Sequence, residues 1–309
     1  MSPSPTRVLV AGATGVVGLP AVRALVAGGH EVTGVARSAA KADRLRAEGA
    51  HPVAVDLFDP VAVKDAAAGH DVVVNLATHV PPTSKAWRAG AWAENERLRT
   101  EASTILADAA LAVGATRFVQ EALAFAYADH GDAWIDEDEP LDPPEGLDGV
   151  RTAEANARRV TDAGGTGVVL RFGNFYGPTA AHTRDQWRLA RRRISSTLGP
   201  LDAPWSVIHT DDAGTAVAAA LSAPPGPYHV VDDEPLRRRE LDLAIAHAAG
   251  VPSLRLPPTP VRRLAESRAG VLTRSIRAAN TRFREATGWA PAYPSAREGW
   301  LAIAAALRG

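Results

Sequence analysis

Short apolar runs alternate with longer stretches of helical periodicity over the first 175 residues of the chain. The runs predict strands, because their aliphatic residues follow one another without the polar alternation of a half-exposed sheet. These predicted strands cover residues 8–11, 31–36, 51–55, 71–76, 117–120 and 167–171. The predicted helices between them cover residues 16–27, 38–48, 60–68, 91–113 and 151–163. Strands that alternate with helices indicate an α/β fold with a doubly wound parallel sheet.

The pattern changes after residue 175, where proline becomes frequent and the helical stretches become shorter. A further apolar run at residues 228–231 predicts one more strand. We therefore expect residues 1–175, with a strand or two from about residues 205–232, to form the main domain. Residues 176–204 and 233–309 then form a smaller C-terminal α+β region. The basic residues of the helix predicted at 184–193 indicate a solvent-exposed face, and a contact with an anionic ligand is the less favoured alternative.

Composition and charge exclude several classes of protein. The 309 residues carry a formal net charge of −1, so nothing indicates a nucleic-acid or anionic membrane partner. The chain has no cysteine, which excludes disulfides and thiolate chemistry. No signal peptide or membrane-spanning stretch is evident, and neither an HExxH motif nor a GxSxG elbow occurs. We therefore expect a cytoplasmic protein without a metal site.

The most informative segment is VLVAGATGVVG, in which Gly12, Gly15 and Gly18 separate the first strand from the first helix. A strand, a glycine-rich turn and a helix form the layout that binds a dinucleotide, with its pyrophosphate at the helix N-terminus. The first glycine permits the tight turn, the second lets the backbone approach the pyrophosphate, and the third lets the helix pack on the strand. The segment therefore predicts a Rossmann domain with a bound dinucleotide.

The end of the second predicted strand indicates which dinucleotide to expect. An acid at this point binds the ribose hydroxyls of NAD, whereas an arginine accommodates the 2′-phosphate of NADP. Arg37 stands here with Lys41 one turn later, so we expect NADP and regard NAD as less favoured. Asp56, after the third strand, either contacts the adenine or caps the next helix. The predicted cofactor contacts are Gly12, Thr14, Gly15, Val16, Val17, Gly18, Arg37, Lys41, Asp56, Leu57, Leu76, Ala77, Thr78 and Asn174.

Seven segments in order resemble motifs of the extended short-chain dehydrogenase/reductase family, over nearly the whole chain. They are GATGVVG (12–18), NLA (75–77), RFVQ (117–120), LRFGNFYGP (170–178), IHTDDAGTAV (208–217), YHVVDDEPL (228–236) and FREATGWAP (283–291). Members of this family are mostly nucleotide-sugar epimerases, dehydratases and reductases. The resemblance implies a small-molecule substrate bound by the C-terminal region, and a homodimer formed through the helices at 91–113 and 151–163.

The catalytic residues of that family are largely missing from this chain. The family's tyrosine acid/base and the lysine four residues later correspond to residues near 146–151, where the sequence is GLDGVR. No lysine follows Lys85. The serine or threonine that orients a substrate carbonyl corresponds to Leu123, and the helical asparagine corresponds to Arg99. The resemblance therefore carries over for the cofactor site but not for the catalytic tetrad.

Polar residues after the carboxyl ends of the strands are the candidate replacements, because substrates bind at this edge of a parallel sheet. His79 follows the fourth predicted strand, Glu121 follows the fifth, and Tyr127 lies in the loop beyond it. A histidine or a half-buried carboxyl group can act as an acid or base near neutral pH. A packing or hydrogen-bonding role is the alternative for each of the three residues.

The sequence thus favours an NADP-dependent oxidoreductase of atypical short-chain type that acts on a small organic substrate. A non-redox isomerase, dehydratase or cyclase on the same scaffold is the alternative. A sensor that binds NADP without turnover is a third hypothesis.

Overall fold

The computed structural model describes residues 5–81, 90–144 and 146–308. The strands are β1 (Arg7–Ala11), β2 (Glu31–Val35), β3 (His51–Val53), β4 (Val72–Asn75), β5 (Arg117–Leu123), β6 (Thr166–Phe172), β7 (Asn174–Tyr176), β8 (Val207–His209) and β9 (Gly226–Val230). The α-helices are α1 (Gly18–Ala27), α2 (Ala39–Ala47), α3 (Pro60–Ala67), α4 (Ala93–Arg97), α5 (Ser103–Ala112), α6 (Gly149–Asp162), α7 (Ala181–Arg191), α8 (Thr210–Ala219), α9 (Arg238–Ala249), α10 (Thr259–Ala269), α11 (Thr281–Thr287) and α12 (Ala296–Arg308). A turn of π-helix, Leu98–Ala102, joins α4 to α5.

Seven strands form a parallel sheet in the order β3-β2-β1-β4-β5-β6-β9. The chain builds outward from β1 to β3 and then returns to place β4 on the other side of β1. This reversal creates a topological switch point, where the carboxyl ends of β1 and β4 open a crevice for a ligand. The fold is therefore the Rossmann-like α/β architecture that the sequence predicts.

Apolar clusters cover both faces of the sheet. On one face, Leu25 of α1 and Val217 of α8 belong to the same buried cluster. On the other face, Leu106 of α5 and Val160 of α6 pack with Phe118 of β5. Strands buried on both sides explain the uninterrupted apolar runs in the sequence.

The chain after β6 contributes one strand to the sheet and also forms a separate core. Strand β9 joins the main sheet beside β6, whereas β7 and β8 pair with each other in a small parallel sheet. Trp187, Trp205 and Trp300 are part of a third buried cluster in this region. Within the described residues, no helix combines the length and apolar character needed to cross a bilayer.

Three differences from the predicted elements affect the site. Helix α1 begins at Gly18, so residues 16 and 17 belong to the turn that precedes it. Strand β5 continues to Leu123, because the apolar residues after Glu121 remain paired with β6. Glu121 therefore lies within the strand, and its predicted position after the strand is wrong. The helix predicted at 91–113 contains the π-turn, on which Arg99 lies.

Candidate active site

The turn after β1 brings backbone groups too close together for side chains. Gly12 has φ +75°, and a Cβ atom at this position would lie 2.4 Å from the carbonyl oxygen of Leu76. A Cβ atom on Gly18 would lie 2.0 Å from the carbonyl oxygen of Gly12. Glycine is therefore required at both positions. Helix α1 begins without a side-chain cap. Because the N–H of Leu19 already donates to Gly15 O and Pro20 has no N–H, the N–H of Gly18 is the group at the start of this helix that suits the pyrophosphate of a dinucleotide.

The residues predicted to bind the adenosine end lie at the carboxyl ends of β2 and β3. Arg37 is exposed and forms no hydrogen bond or ion pair with the described part of the chain. Lys41 is half-buried on the first turn of α2. Asp56 is exposed and accepts a backbone N–H at 3.1 Å through Oδ1. Asp59 caps helix α3, so the alternative of Asp56 as the N-cap is wrong. Leu57 is half-buried beside it.

A network of amide groups fixes the end of β4. Asn75 Nδ2 donates to Gln120 Oε1 at 3.0 Å, and Asn75 Oδ1 accepts the N–H of Ala77 at 3.1 Å. The hydroxyl of Ser103 also donates to Gln120 Oε1, at 2.9 Å. These bonds hold Leu76 and Ala77 at the edge of the switch point, where a cofactor contact is expected.

His79 lies on the loop that follows β4. Its backbone N–H donates to Oδ1 of the buried Asn95 at 3.1 Å, so α4 holds this loop in place. The His79 side chain is exposed, as is that of Thr78. The imidazole has no hydrogen-bond partner among the described residues and is therefore available at the carboxyl edge of the sheet. Asn174 is half-buried at the same edge, after β6.

A buried ion pair joins the π-turn to β5. Arg99 Nη2 lies 2.9 Å from the Glu121 carboxylate, and the two side chains are 3% and 5% exposed. Burial raises the pKa of Glu121, although the charge of Arg99 opposes this rise. Arg99 Nε and Nη1 have no hydrogen-bond partner in the described residues. The sequence identified both residues but not their pairing, because 22 positions separate them and no spacing rule connects them.

The resemblance to the short-chain family places its tyrosine and lysine positions near the start of α6. Here the N–H of Gly149 donates to Glu96 Oε2 at 2.7 Å. Burial raises the pKa of Glu96. Val150 and Leu123 are buried and apolar. A Cβ atom on Gly149 would lie 3.0 Å from the Cβ atom of Arg99, so the π-turn packs directly on this helix.

Tyr127 lies in the interior, within a hydrogen-bonded network. Its side chain is fully buried, and its hydroxyl lies 2.6 Å from both Arg171 Nη1 and His229 Nε2. Burial raises the pKa of the phenol. Arg171 in turn forms a bidentate ion pair with Glu154. These contacts favour the hydrogen-bonding role for the Tyr127 hydroxyl, and its role as an acid/base stays a prediction.

The described ranges contain no group of three or more histidine and carboxylate side chains that would hold a metal ion. The residues that the structure does bring together at the carboxyl edge are those of the glycine-rich turn, the His79 loop, the Arg99–Glu121 pair and the start of α6.

Comparison with known proteins identifies the family. The model of the NAD dependent epimerase/dehydratase family matches residues 8–231. The chain belongs to this family. A 3-diazoavenalumate denitrifying reductase of Streptomyces sp is 39% identical over an alignment of 314 residues. The alignment covers 95% of this chain and 98% of that protein. Membership in the family and a related reductase support an oxidoreductase or epimerase-like enzyme that uses a nicotinamide dinucleotide.

Solved structures show the same fold. Human epimerase family protein SDR39U1 with NADPH aligns with a TM-score of 0.80 at 23% identity, covering 97% of this chain and 99% of that one. A UDP-glucose 4-epimerase of Thermus thermophilus in complex with NAD aligns with a TM-score of 0.76 at 24% identity, covering 98% and 99%. These likenesses confirm the Rossmann-like architecture over almost the whole chain.

Proposed function

We propose that this chain is an NADPH-dependent reductase that removes a diazo group from a small carboxylate substrate as N₂. The observation that carries this proposal is the sequence at the positions where the resemblance places the acid/base pair: residues 146–151 offer neither a phenol nor a lysine. Reduction of a carbonyl leaves an oxyanion that such groups must protonate. Replacement of a diazo group by hydrogen releases a neutral molecule and creates no oxyanion.

The balance of the reaction explains why no protein acid is needed. When bound, the reduced nicotinamide supplies a hydride, so that R–N₂⁺ and H⁻ give R–H and N₂. The C–N bond breaks as the C–H bond forms, and two electrons pass to the substrate. The related Streptomyces protein is named for reducing and denitrifying a diazo carboxylate, which supports the same substrate class here.

The residues of this chain then have to bind and orient the substrate and the cofactor, and to exclude water. The glycine-rich turn and the start of α1 would hold the pyrophosphate, and Leu76 and Ala77 would contact the nicotinamide half. His79, with its free ring, contacts the substrate. Glu121 holds Arg99 in place instead of transferring a proton, because its carboxylate is already engaged in an ion pair.

The preference for NADPH is proposed from charge. Arg37 and Lys41 follow β2 without an acidic residue between them, and the Arg37 guanidinium has no described partner that competes for it. A 2′-phosphate fits this pair through charge-assisted hydrogen bonds. In Arg37→Glu we expect the Kd for NADPH to rise at least tenfold while the Kd for NADH changes less than threefold. Equal losses for both cofactors would contradict the preference.

The reaction is tested with 4-carboxybenzenediazonium and NADPH that carries deuterium at both hydrogen positions of C4. We expect benzoate, N₂ and NADP⁺ in equal amounts, formed faster than in a protein-free control, with deuterium in the benzoate. Gly18→Ala is the matched protein control, since it blocks the cofactor turn without touching the His79 loop. Product without deuterium, or NADPH binding without any reduction of the diazonium ion, would contradict the proposed reaction.

A further inference from the structure

Arg99 is a buried cation with more hydrogen-bond donors than the described residues satisfy. Its side chain is 3% exposed, and Nη2 is engaged by Glu121. Nε and Nη1 have no partner among the described residues. Buried donors are almost always paired, and an unpaired charged donor is particularly costly. The two free donors therefore indicate a group that is present in the working enzyme.

The position of the pair in the sheet indicates where that group lies. Gln120 is paired with Asn75, the last residue of β4, so Glu121 is the first residue of β5 beyond the end of its neighbour. The pair thus stands at the carboxyl edge, next to the switch point. Arg99 follows by one helical turn the Asn95 side chain that holds the His79 loop.

The local backbone makes room for Arg99. The π-turn, a feature that is frequent at functional sites, carries Arg99 in the middle of an otherwise α-helical segment. On the facing helix, a Cβ atom on Gly149 would lie 3.0 Å from both Arg99 Cβ and Glu96 Oε2. A glycine at this position allows the two helices to approach closely beside the guanidinium group.

We infer that Arg99 is the ligand-binding cation of the active site. Its Nε–H and Nη1–H donate to an acceptor oxygen of the bound ligand, while Glu121 holds the guanidinium in place. That oxygen belongs either to the substrate carboxylate or to the nicotinamide half of the cofactor. The substrate alternative rests on the proposed function, whereas the cofactor alternative rests on the family and the fold.

The test uses the double variant Arg99→Gln/Glu121→Gln. This change removes both charges without leaving a buried carboxylate unpaired. Two constants are measured by calorimetry: the Kd of NADPH, and the Kd of benzoate for the complex with NADP⁺. We expect at least one of them to rise tenfold or more. Arg188→Gln is the control, since it removes an exposed arginine paired with Asp185, and we expect both constants to stay within twofold.

Each result leads to a definite conclusion. A rise in the NADPH constant assigns the oxygen to the cofactor, and a rise in the benzoate constant alone assigns it to the substrate carboxylate. A folded double variant with both constants within twofold of the wild type overturns the inference. If the double variant does not fold, Arg99→Lys, which keeps the charge but loses the planar set of donors, decides by the same two constants. A wild type that binds NADPH but reduces no diazonium ion would overturn only the proposed reaction.

Discussion

This molecule contains two buried arginine–glutamate pairs that have the same chemistry but different roles. In the Arg171–Glu154 pair, Nε and Nη2 bind the carboxylate, while Nη1 donates to the Tyr127 hydroxyl and to a backbone carbonyl. In the Arg99–Glu121 pair, only Nη2 has a partner in the described residues. Burial and charge are nearly equal in the two pairs. The number of unsatisfied donors is what separates a structural pair from one prepared for a ligand.

The surroundings of the two pairs agree with this distinction. Arg171 belongs to a network that connects β6 to β9 through Tyr127 and His229. His229 is held further by Glu137, which accepts its backbone N–H at 2.8 Å. This network closes the interior between the sheet and the C-terminal region. The Arg99 pair instead stands at the carboxyl edge of the sheet, beside the His79 loop.

The largest expected effect is on stability, and it compares the two pairs directly. Arg171→Leu leaves Glu154 buried without a partner, so we expect a loss of about 3–5 kcal/mol in the free energy of unfolding. Arg99→Leu also removes two donor nitrogens that have no partner among the described residues, so its loss is smaller by about 1 kcal/mol or more. Urea unfolding of both variants measures the difference. A loss in Arg99→Leu as large as in Arg171→Leu would contradict the distinction.

The pH dependence of stability tests the network of Arg171, Tyr127 and His229. Burial, with the nearby positive charge of Arg171, lowers the pKa of His229 from 6.5 to about 3. The folded protein thus keeps this ring neutral, and the stability that it contributes is complete above pH 6.5 and is lost as pH falls towards 3. Between pH 7 and 5 we expect this loss to be about 2 kcal/mol.

The measurement is the difference in unfolding free energy between the wild type and His229→Gln at each pH. We expect this difference to shrink on acidification, because the variant lacks the titrating ring. His51→Gln, which removes an exposed histidine, is the control. A difference that stays constant from pH 7 to 5 would show that the buried ring does not resist protonation.

Tyr127→Phe distinguishes a structural hydroxyl from a catalytic one. Removal of the Tyr127 hydroxyl takes one hydrogen-bond partner from Arg171 Nη1 and one from His229, so we expect a loss of about 1–3 kcal/mol in the free energy of unfolding. We expect kcat to stay within twofold, whereas loss of a general acid/base lowers it by about 10²-fold or more. Tyr228→Phe, which removes a bond to a backbone carbonyl, is the control. A stable Tyr127→Phe protein with a hundredfold lower kcat would restore the catalytic assignment.

The parts of this molecule that could be predicted from the sequence are those encoded locally. Consecutive apolar residues are sufficient to indicate buried parallel strands, and the spacing of Gly12 and Gly18 is sufficient to indicate the turn. The charge of Arg37 after β2 is also local, whereas the preference for NADPH that it indicates stays a prediction. In each case the physical cause lies within a few residues of the feature.

The remaining features depend on contacts that no local pattern encodes. Tyr127 is a candidate acid by sequence because it follows a strand, but its position in the chain does not reveal that Arg171 and His229 enclose it. The sequence places Glu121 beyond its strand, but the pairing with β6 continues past it. Its partner, Arg99, lies on a π-turn, which the apolar periodicity of the helix does not reveal.

The smallest effect comes from the glycine that faces Arg99. In Gly149→Ala the new Cβ atom would lie 3.0 Å from Arg99 Cβ and from Glu96 Oε2, so one of these neighbours must move by a few tenths of an ångström. Inside a helix alanine is more stable than glycine by about 0.5–1 kcal/mol, and this is an upper bound here because Gly149 is the first residue of α6. Because the crowding opposes this gain, we expect the free energy of unfolding to change by less than that amount.

Ligand affinity is the more sensitive measurement for Gly149→Ala. Displacement of the guanidinium weakens whichever ligand uses the two free donors, so we expect a twofold to fivefold rise in its Kd. Gly28→Ala is the matched control, since Gly28 is the C-cap of α1 and its new Cβ atom would be 3.3 Å from both a side-chain atom of His30 and the carbonyl oxygen of Leu25. If Gly149→Ala gained the full helix propensity of alanine and left the ligand affinity unchanged, Arg99 would not be held against α6. The distinction between the two arginine pairs would then depend on the unsatisfied donors alone.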